Sequence, residues 1–172
     1  MTEQPDIINR VAQSSLITFN LEDYYQKGER VLFDIKDWLF QGLILREKDF
    51  RAAVKEHDWE RYKGTHVAMI CTVEAIVPTW AYMLIATRLQ PYAETIIHGN
   101  LDELEKVLFK DSLDKVKVEE FRDKKIVIKG CGSIPVPNSA YVQITSMLRP
   151  VVASIMYGEP CSTVPLYKKS RK

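Results

Sequence analysis

The chain has 172 residues, a mass of 19.9 kDa, 46% hydrophobic and 27% charged residues, and a formal net charge of +1. This composition suits a globular protein with a substantial core, and the near-neutral charge excludes broad attraction to nucleic acid or to anionic lipid. Three cysteines at wide spacing make no secreted disulfide framework, so reduced thiols and a cytoplasmic location are expected.

In chain order, Met1-Thr-Glu-Gln-Pro-Asp6 lacks the apolar segment and cleavage pattern of a secretion signal. Leu16–Leu21 is a short, half-polar strand candidate. Arg30–Trp38 alternates Val31, Phe33 and Ile35 with Asp34 and Lys36, the pattern of a strand with one wet face, and Gly28 supplies the turn between the two. Arg46–Glu56 carries an apolar stripe at helical spacing, flanked by Leu45 and including Phe50 and Val54. His66–Cys71 is a continuous apolar run, as expected of a strand covered on both faces. The longest apolar stretch, Ala75–Ala86, contains Pro78 and is too short to span a bilayer. It reads instead as a core helix beginning at Thr79, with Thr79 as its N-cap. Thr95–His98 returns as a strand. The same series then recurs: a helix over Leu101–Leu113, a strand over Lys125–Cys131, a helix from an Asn138 cap, and a strand over Ser154–Tyr157. Glycines end the last strand of each series, and Pro91 and Pro150 interrupt the preceding helices. The basic tail, Lys168-Lys-Ser-Arg-Lys172, reads as a solvated, frayed end.

The recurrence extends to identities. Pro78, Ala81, Tyr82, Ile85, Leu89 and Pro91 match Pro137, Ala140, Tyr141, Ile144, Leu148 and Pro150 at a constant offset (137 − 78 = 59). Ile96/Ile155 and Gly99/Gly158 continue it, giving eight identities in 22 positions where ordinary composition gives about one or two. We therefore expect an α/β layered fold with a mixed, mainly parallel sheet of about six strands, built from a tandem helix-strand-helix-strand duplication. The expected organisation is one domain over 1–172, with N-terminal strands in 1–40, repeats in 41–99 and 100–158, and a tail in 159–172.

If the repeated strands are parallel, their C-terminal ends share the sheet edge where open α/β sheets bind ligands. Cys71 ends the first repeated strand, His98 the second and Cys131 the third, while Cys161 follows the fourth. Three thiolates and an imidazole would suit zinc, and thiolates would suit an iron–sulfur cluster; the soft sulfur ligands are the reason. The alternative is that these are buried structural thiols, since no C-x-x-C pair is present. Cys131, between Gly130 and Gly132 and ahead of a helix, is also the candidate nucleophile of a small cysteine enzyme, with His98 as base. Glu74 and Glu159 map to the same rim, and Asp34 and Asp37 are read as surface carboxylates. No P-loop, G-x-G-x-x-G, G-x-S-x-G or H-E-x-x-H is present.

Val31-Leu-Phe-Asp-Ile-Lys-Asp-Trp-Leu-Phe-Gln-Gly42, Pro78-Thr-Trp-Ala-Tyr-Met83, Ile128-Lys-Gly-Cys131 and Ser154–Tyr167 resemble a bacterial protein family of unknown function that is named only as a domain. The likeness spans essentially the whole chain. It implies no activity and no catalytic residue; it does imply an association with iron–sulfur assembly proteins, near whose components members are encoded. Three functional readings follow in order: a non-enzymatic accessory protein acting as a homodimer, a thiolate metal or iron–sulfur protein using Cys71, Cys131 and Cys161, and a cysteine-dependent enzyme.

Overall fold

The computed structural model of the chain describes residues 16–130 and 132–170. Among them lie seven strands and four α-helices, in a mixed α/β architecture with mostly parallel sheets. The strands are β1 (Leu16–Asn20), β2 (Arg30–Asp34), β3 (His66–Ile70), β4 (Thr95–His98), β5 (Lys125–Lys129), β6 (Ser154–Glu159) and β7 (Ser162–Lys168). The helices are α1 (Glu47–Glu56), α2 (Thr79–Leu89), α3 (Leu101–Leu113) and α4 (Asn138–Leu148). The described residues divide into two compact units, one of residues 26–107 and one of residues 16–25 with 108–130 and 132–170.

In the 26–107 unit, β2, β3 and β4 form a parallel sheet in that order. Phe33, Val67 and Met69 turn one face of it to Phe50 and Val54 of α1 and to Ala81, Ile85 and Leu89 of α2. In the other unit the order is β1-β5-β6-β7, parallel except for β7, which runs back along β6. Phe19, Ile126, Ile128 and Ile155 there meet Phe109 and Leu113 of α3 and Ala140, Ile144 and Leu148 of α4. The helix stripes are what make this possible: residues spaced by three and four present one apolar face, and sealing a face of Leu, Ile and Phe stabilises by about 1.5–3 kcal/mol per side chain.

The expected single sheet of about six strands is not formed; four and three strands make separate sheets. The reason lies in the two N-terminal strands, which pair with different partners. Phe19-Asn20-Leu21-Glu22-Asp23-Tyr24 and Phe33-Asp34-Ile35-Lys36-Asp37-Trp38 have one pattern at a second offset (33 − 19 = 14). Each pattern runs from a strand into a 3-10 turn, and each sends its Phe and its Leu or Ile into a different core. β1 therefore belongs with β5, across the whole intervening unit.

Smaller differences have local causes. Arg30–Trp38 is not one strand, because Asp34 accepts the Lys36 N–H at 3.0 Å and starts a 3-10 turn. Thr79 and Asn138 are the first helical residues rather than caps; Pro78 and Pro137 occupy the cap positions, and no side chain bonds there. The tail also forms structure where fraying was expected: β7 extends to Lys168, and the Lys169 N–H reaches the Ala153 carbonyl at 2.8 Å. No helix among the described residues is long and apolar enough to cross a membrane.

Candidate functional site

At the C-terminal edge of the β2–β3–β4 sheet, Asp34 joins two strand ends. Its carboxylate accepts the Thr72 N–H at 3.2 Å and the Thr72 hydroxyl at 2.5 Å, and the Lys36 ammonium lies 3.3 Å away. Burial by itself would raise this carboxyl, but the bonds from Thr72 and Lys36 outweigh it and hold Asp34 below the ordinary carboxylate value. Beside it, Cys71 donates its thiol hydrogen to the Val73 carbonyl at 3.5 Å. The Tyr82 hydroxyl is pushed up by burial first, with charge on Cys71 and Asp34 adding to the effect. The His98 ring meets Tyr82 edge-on, with 4.6 Å between ring centres.

The same edge of the other sheet has a different character. Asn20, the last residue of β1, accepts the Glu22 N–H at 3.3 Å, and its amide donates to Asp23 at 3.1 Å. Glu22 reaches across to accept the Gly132 N–H at 2.6 Å. An open cavity of about 470 Å³ lies here, lined by Gly130, Gly132, Ile134, Pro135, Val136, Asn138, Tyr141 and Tyr157. The two tyrosines meet edge-on at 5.9 Å. A methyl group at Gly130 would stand 2.7 Å from the Tyr141 hydroxyl, so the close approach of strand end and helix requires glycine.

The two edges correspond position by position. Asn20 and Asp34 end β1 and β2; Gly130 and Cys71 immediately follow β5 and β3; Tyr141 and Tyr82 are the fourth residues of α4 and α2; Tyr157 and His98 are the fourth residues of β6 and β4. One edge thus carries carboxylate, thiol and imidazole. The other carries amide, bare backbone and phenol, and holds the cavity.

The family described as "Protein of unknown function (DUF2480)" matches residues 5–169. The chain belongs to it. No curated protein and no solved structure matches the chain. Membership of DUF2480 brings no iron–sulfur assignment with it.

The candidate site residues in this DUF2480 chain belong to strand ends of two units. Cys71 and His98 belong to the 26–107 unit, with His98 exposed at the end of β4. Cys161 is exposed in the turn between β6 and β7 of the other unit. Cys131 lies outside the described residues. Among the described residues no group of three or more His, Cys, Asp and Glu side chains is arranged to hold a metal ion. Glu159 pairs with the Lys129 ammonium at 3.4 Å, and Glu74 and Asp37 are exposed.

Asp34 is a correction: read as a wet-face carboxylate, it keeps only 12% side-chain exposure and serves as a clamp. The offset of 14 was the signal for it, since Asn20 and Asp34 occupy the same place in the repeated turn. The cavity lining of Ile134, Pro135 and Val136 carries no motif; only its position, between a strand end and a helix start, marks it.

Proposed function

We propose that this protein is a non-catalytic binding module that takes a small, uncharged, flat organic ligand at the C-terminal edge of β5 and β6. The observation that carries this reading is the 470 Å³ cavity, whose described lining side chains are aliphatic or phenolic apart from the Asn138 amide. Its volume falls within the ~300–1,000 Å³ range of small-molecule sites. Its position is the ligand-binding edge of parallel sheets. The lining supplies two phenol rings and one amide, which suits a planar molecule with one or two hydrogen-bonding groups.

The test is a screen of neutral aromatic fragments by ligand-observed NMR, against the natural chain and Val136→Trp, which fills the cavity from its wall. Fragments that bind the natural chain and not Val136→Trp, with melting temperature unchanged, support the reading. Equal binding to both refutes it.

A second reading, self-association as a homodimer, rests on a different surface. The Phe40–Ile44 hairpin and Ile76, bridged to Ile44, expose apolar side chains: Leu43 is 61%, Ile44 59% and Ile76 91% accessible. Together with Phe40 they present on the order of 400 Å² of apolar surface, about half of what one face of a stable dimer buries. Sedimentation of the natural chain and of Ile76→Asp tests it: a dimer that dissociates in the variant supports self-association, and a natural monomer at high concentration removes it.

A further inference from the structure

A second cavity lies at the opposite, N-terminal edge of β5 and β6, where the chain gathers positive charge. It has a volume of about 350 Å³ and is lined by Lys125, Ala153, Ser154, Lys168, Lys169 and Ser170. Three of these residues form one row across the sheet: Lys125 pairs with Ser154, and Ser154 pairs with Lys168. Directly paired residues point to the same face, so the two lysines flank the serine on one surface, their backbones roughly 10 Å apart at ~4.8 Å per strand. Flexible four-carbon stems allow both ammoniums to converge over the serine hydroxyl.

Among the described residues no carboxylate neutralises the charge of this row. Lys169 is committed to Asp123 at 2.8 Å. No ion pair among the described residues involves Lys125 or Lys168, and no carboxylate is among the cavity's described lining residues. Elsewhere in the chain lysines do find carboxylates, as Lys110 does with Asp114 and Lys129 with Glu159. An anion placed between the two ammoniums is attracted by both. The row is also fixed in place, because the bond from the Lys169 N–H to Ala153 anchors the end of β7 beside β6.

We infer that this cavity is a binding site for a phosphate monoester or diphosphate group, held by the Lys125 and Lys168 ammoniums with the Ser154 hydroxyl between them. A compact dianion with diverging oxygens matches two point charges and a hydroxyl gathered on one row of the sheet. An extended polyanion does not, since the chain as a whole carries a net charge of only +1 and the lysines line a cavity rather than a stripe. This site is separate from the cavity of the proposed function, at the other end of the same strands.

The experiment is titration calorimetry of the natural chain with pyrophosphate and with phenyl phosphate, repeated with Lys125→Gln/Lys168→Gln, with Ser154→Ala, and with Lys110→Gln as control. The altered side chains at 125 and 168 are exposed, so melting temperature is expected to hold. Saturable binding is expected in the natural chain and in Lys110→Gln, with affinity about tenfold or more weaker in the double variant, as loss of charged hydrogen bonds requires. Co-sedimentation with phosphatidylcholine vesicles, with and without phosphatidic acid, separates the sources. Vesicle binding lost in the double variant assigns the phosphate to a lipid headgroup, and binding of the soluble probes alone assigns it to a free phosphorylated metabolite. Absence of saturable binding to every probe overturns the inference. So does an equal loss in Lys110→Gln, or a single-stranded oligonucleotide that displaces pyrophosphate at lower concentration than phenyl phosphate.

Discussion

Replacing Asp34 is expected to destabilise the 26–107 unit by an amount that reports on the clamp between β2 and β3. In Asp34→Ala the 3-10 turn after β2 loses its side-chain cap, worth about 1 kcal/mol. The Thr72 N–H and hydroxyl lose a charged acceptor, worth about 1.5–3 kcal/mol. The two act on one carboxylate and overlap, so the expected loss is roughly 2–4 kcal/mol. Asp34→Asn keeps an oxygen for the backbone N–H groups, as Asn20 does in the other unit, and should cost about 1 kcal/mol. Urea unfolding followed by tryptophan fluorescence is the assay, because Trp38, Trp59 and Trp80 all lie in this unit.

The pH dependence of the same pair is a second check. Because the folded pKa of Asp34 is depressed, its contribution is complete above the unfolded value of about 3.9 and is lost as pH falls through the lower folded value. The gap between the natural chain and Asp34→Asn should therefore close below pH ~4. A gap that stays constant from neutral pH to pH ~3, or an Asp34→Ala chain within about 0.5 kcal/mol of the natural one, would refute the clamp.

His57 lies among Phe33, Trp38, Trp59 and Tyr62, and burial, then the Arg61 charge, hold it below the ordinary histidine value, with Asp58 opposing. A depressed base is protonated more readily when unfolded, so stability should be full above pH ~6.5 and fall as pH drops toward the folded value; His57→Gln should flatten that slope in the same fluorescence assay. Gly28 has φ +131°, and a methyl there would stand 2.8 Å from Nε2 of buried His66, which donates to the Lys27 carbonyl while Nδ1 accepts from the Thr95 hydroxyl. Gly28→Ala is expected to cost about 2–4 kcal/mol, and a midpoint equal to the natural chain's would sink the steric argument. Ile85 and Met83 are neighbours on α2 at 0% and 64% exposure. Ile85→Ala should cost about 2–5 kcal/mol and Met83→Ala less than about 0.5; equal losses would mean that the α2 face is misassigned.

Much of the fold was legible because helix and strand periods write burial directly into residue order. Ala81, Ile85 and Leu89 recur as Ala140, Ile144 and Leu148, and all six are buried. The partition into two sheets was harder to read, because strand pairing is a long-range choice that spacing alone does not encode. The information was present nonetheless, in the shorter echo of Phe19-Asn20-Leu21 by Phe33-Asp34-Ile35, which groups β1 with β5 and β2 with β3. β7 escaped notice for another reason. Val164, Pro165 and Leu166 are all exposed, so the segment shows neither alternation nor a buried run, and Pro165 offers no N–H. The candidate site followed the same rule. Cys71 and His98 were placed at strand ends by pattern, but a cavity between a loop and a helix is a property of shape, and no spacing of chemical groups announces Ile134, Pro135 and Val136.

The contrast between the two edges follows from single residues on a common framework. Tyr82 and Tyr141 hold the same place on α2 and α4, yet what faces them differs. Opposite Tyr82 the strand end carries the Cys71 side chain, and burial first, then the nearness of Cys71 and Asp34, makes the phenol harder to ionise. At the matching place beside Tyr141 the strand end carries Gly130, with no side chain, and Asn20 stands where Asp34 would bring a charge. The bare strand end at Gly130 gives its space to the Tyr141 hydroxyl, and the carboxylate on this side, Glu22, is bonded to the Gly132 N–H. The aliphatic wall of Ile134, Pro135 and Val136 gains from apolar contact with whatever meets it, whereas an edge carrying Asp34, Cys71 and His98 must keep its polar groups bonded or wet. The bonds from Thr72 and Lys36 to Asp34 and from Cys71 to the Val73 carbonyl meet that requirement within the chain itself. The first edge therefore ties strand ends together through Asp34, while the open cavity lies at the second.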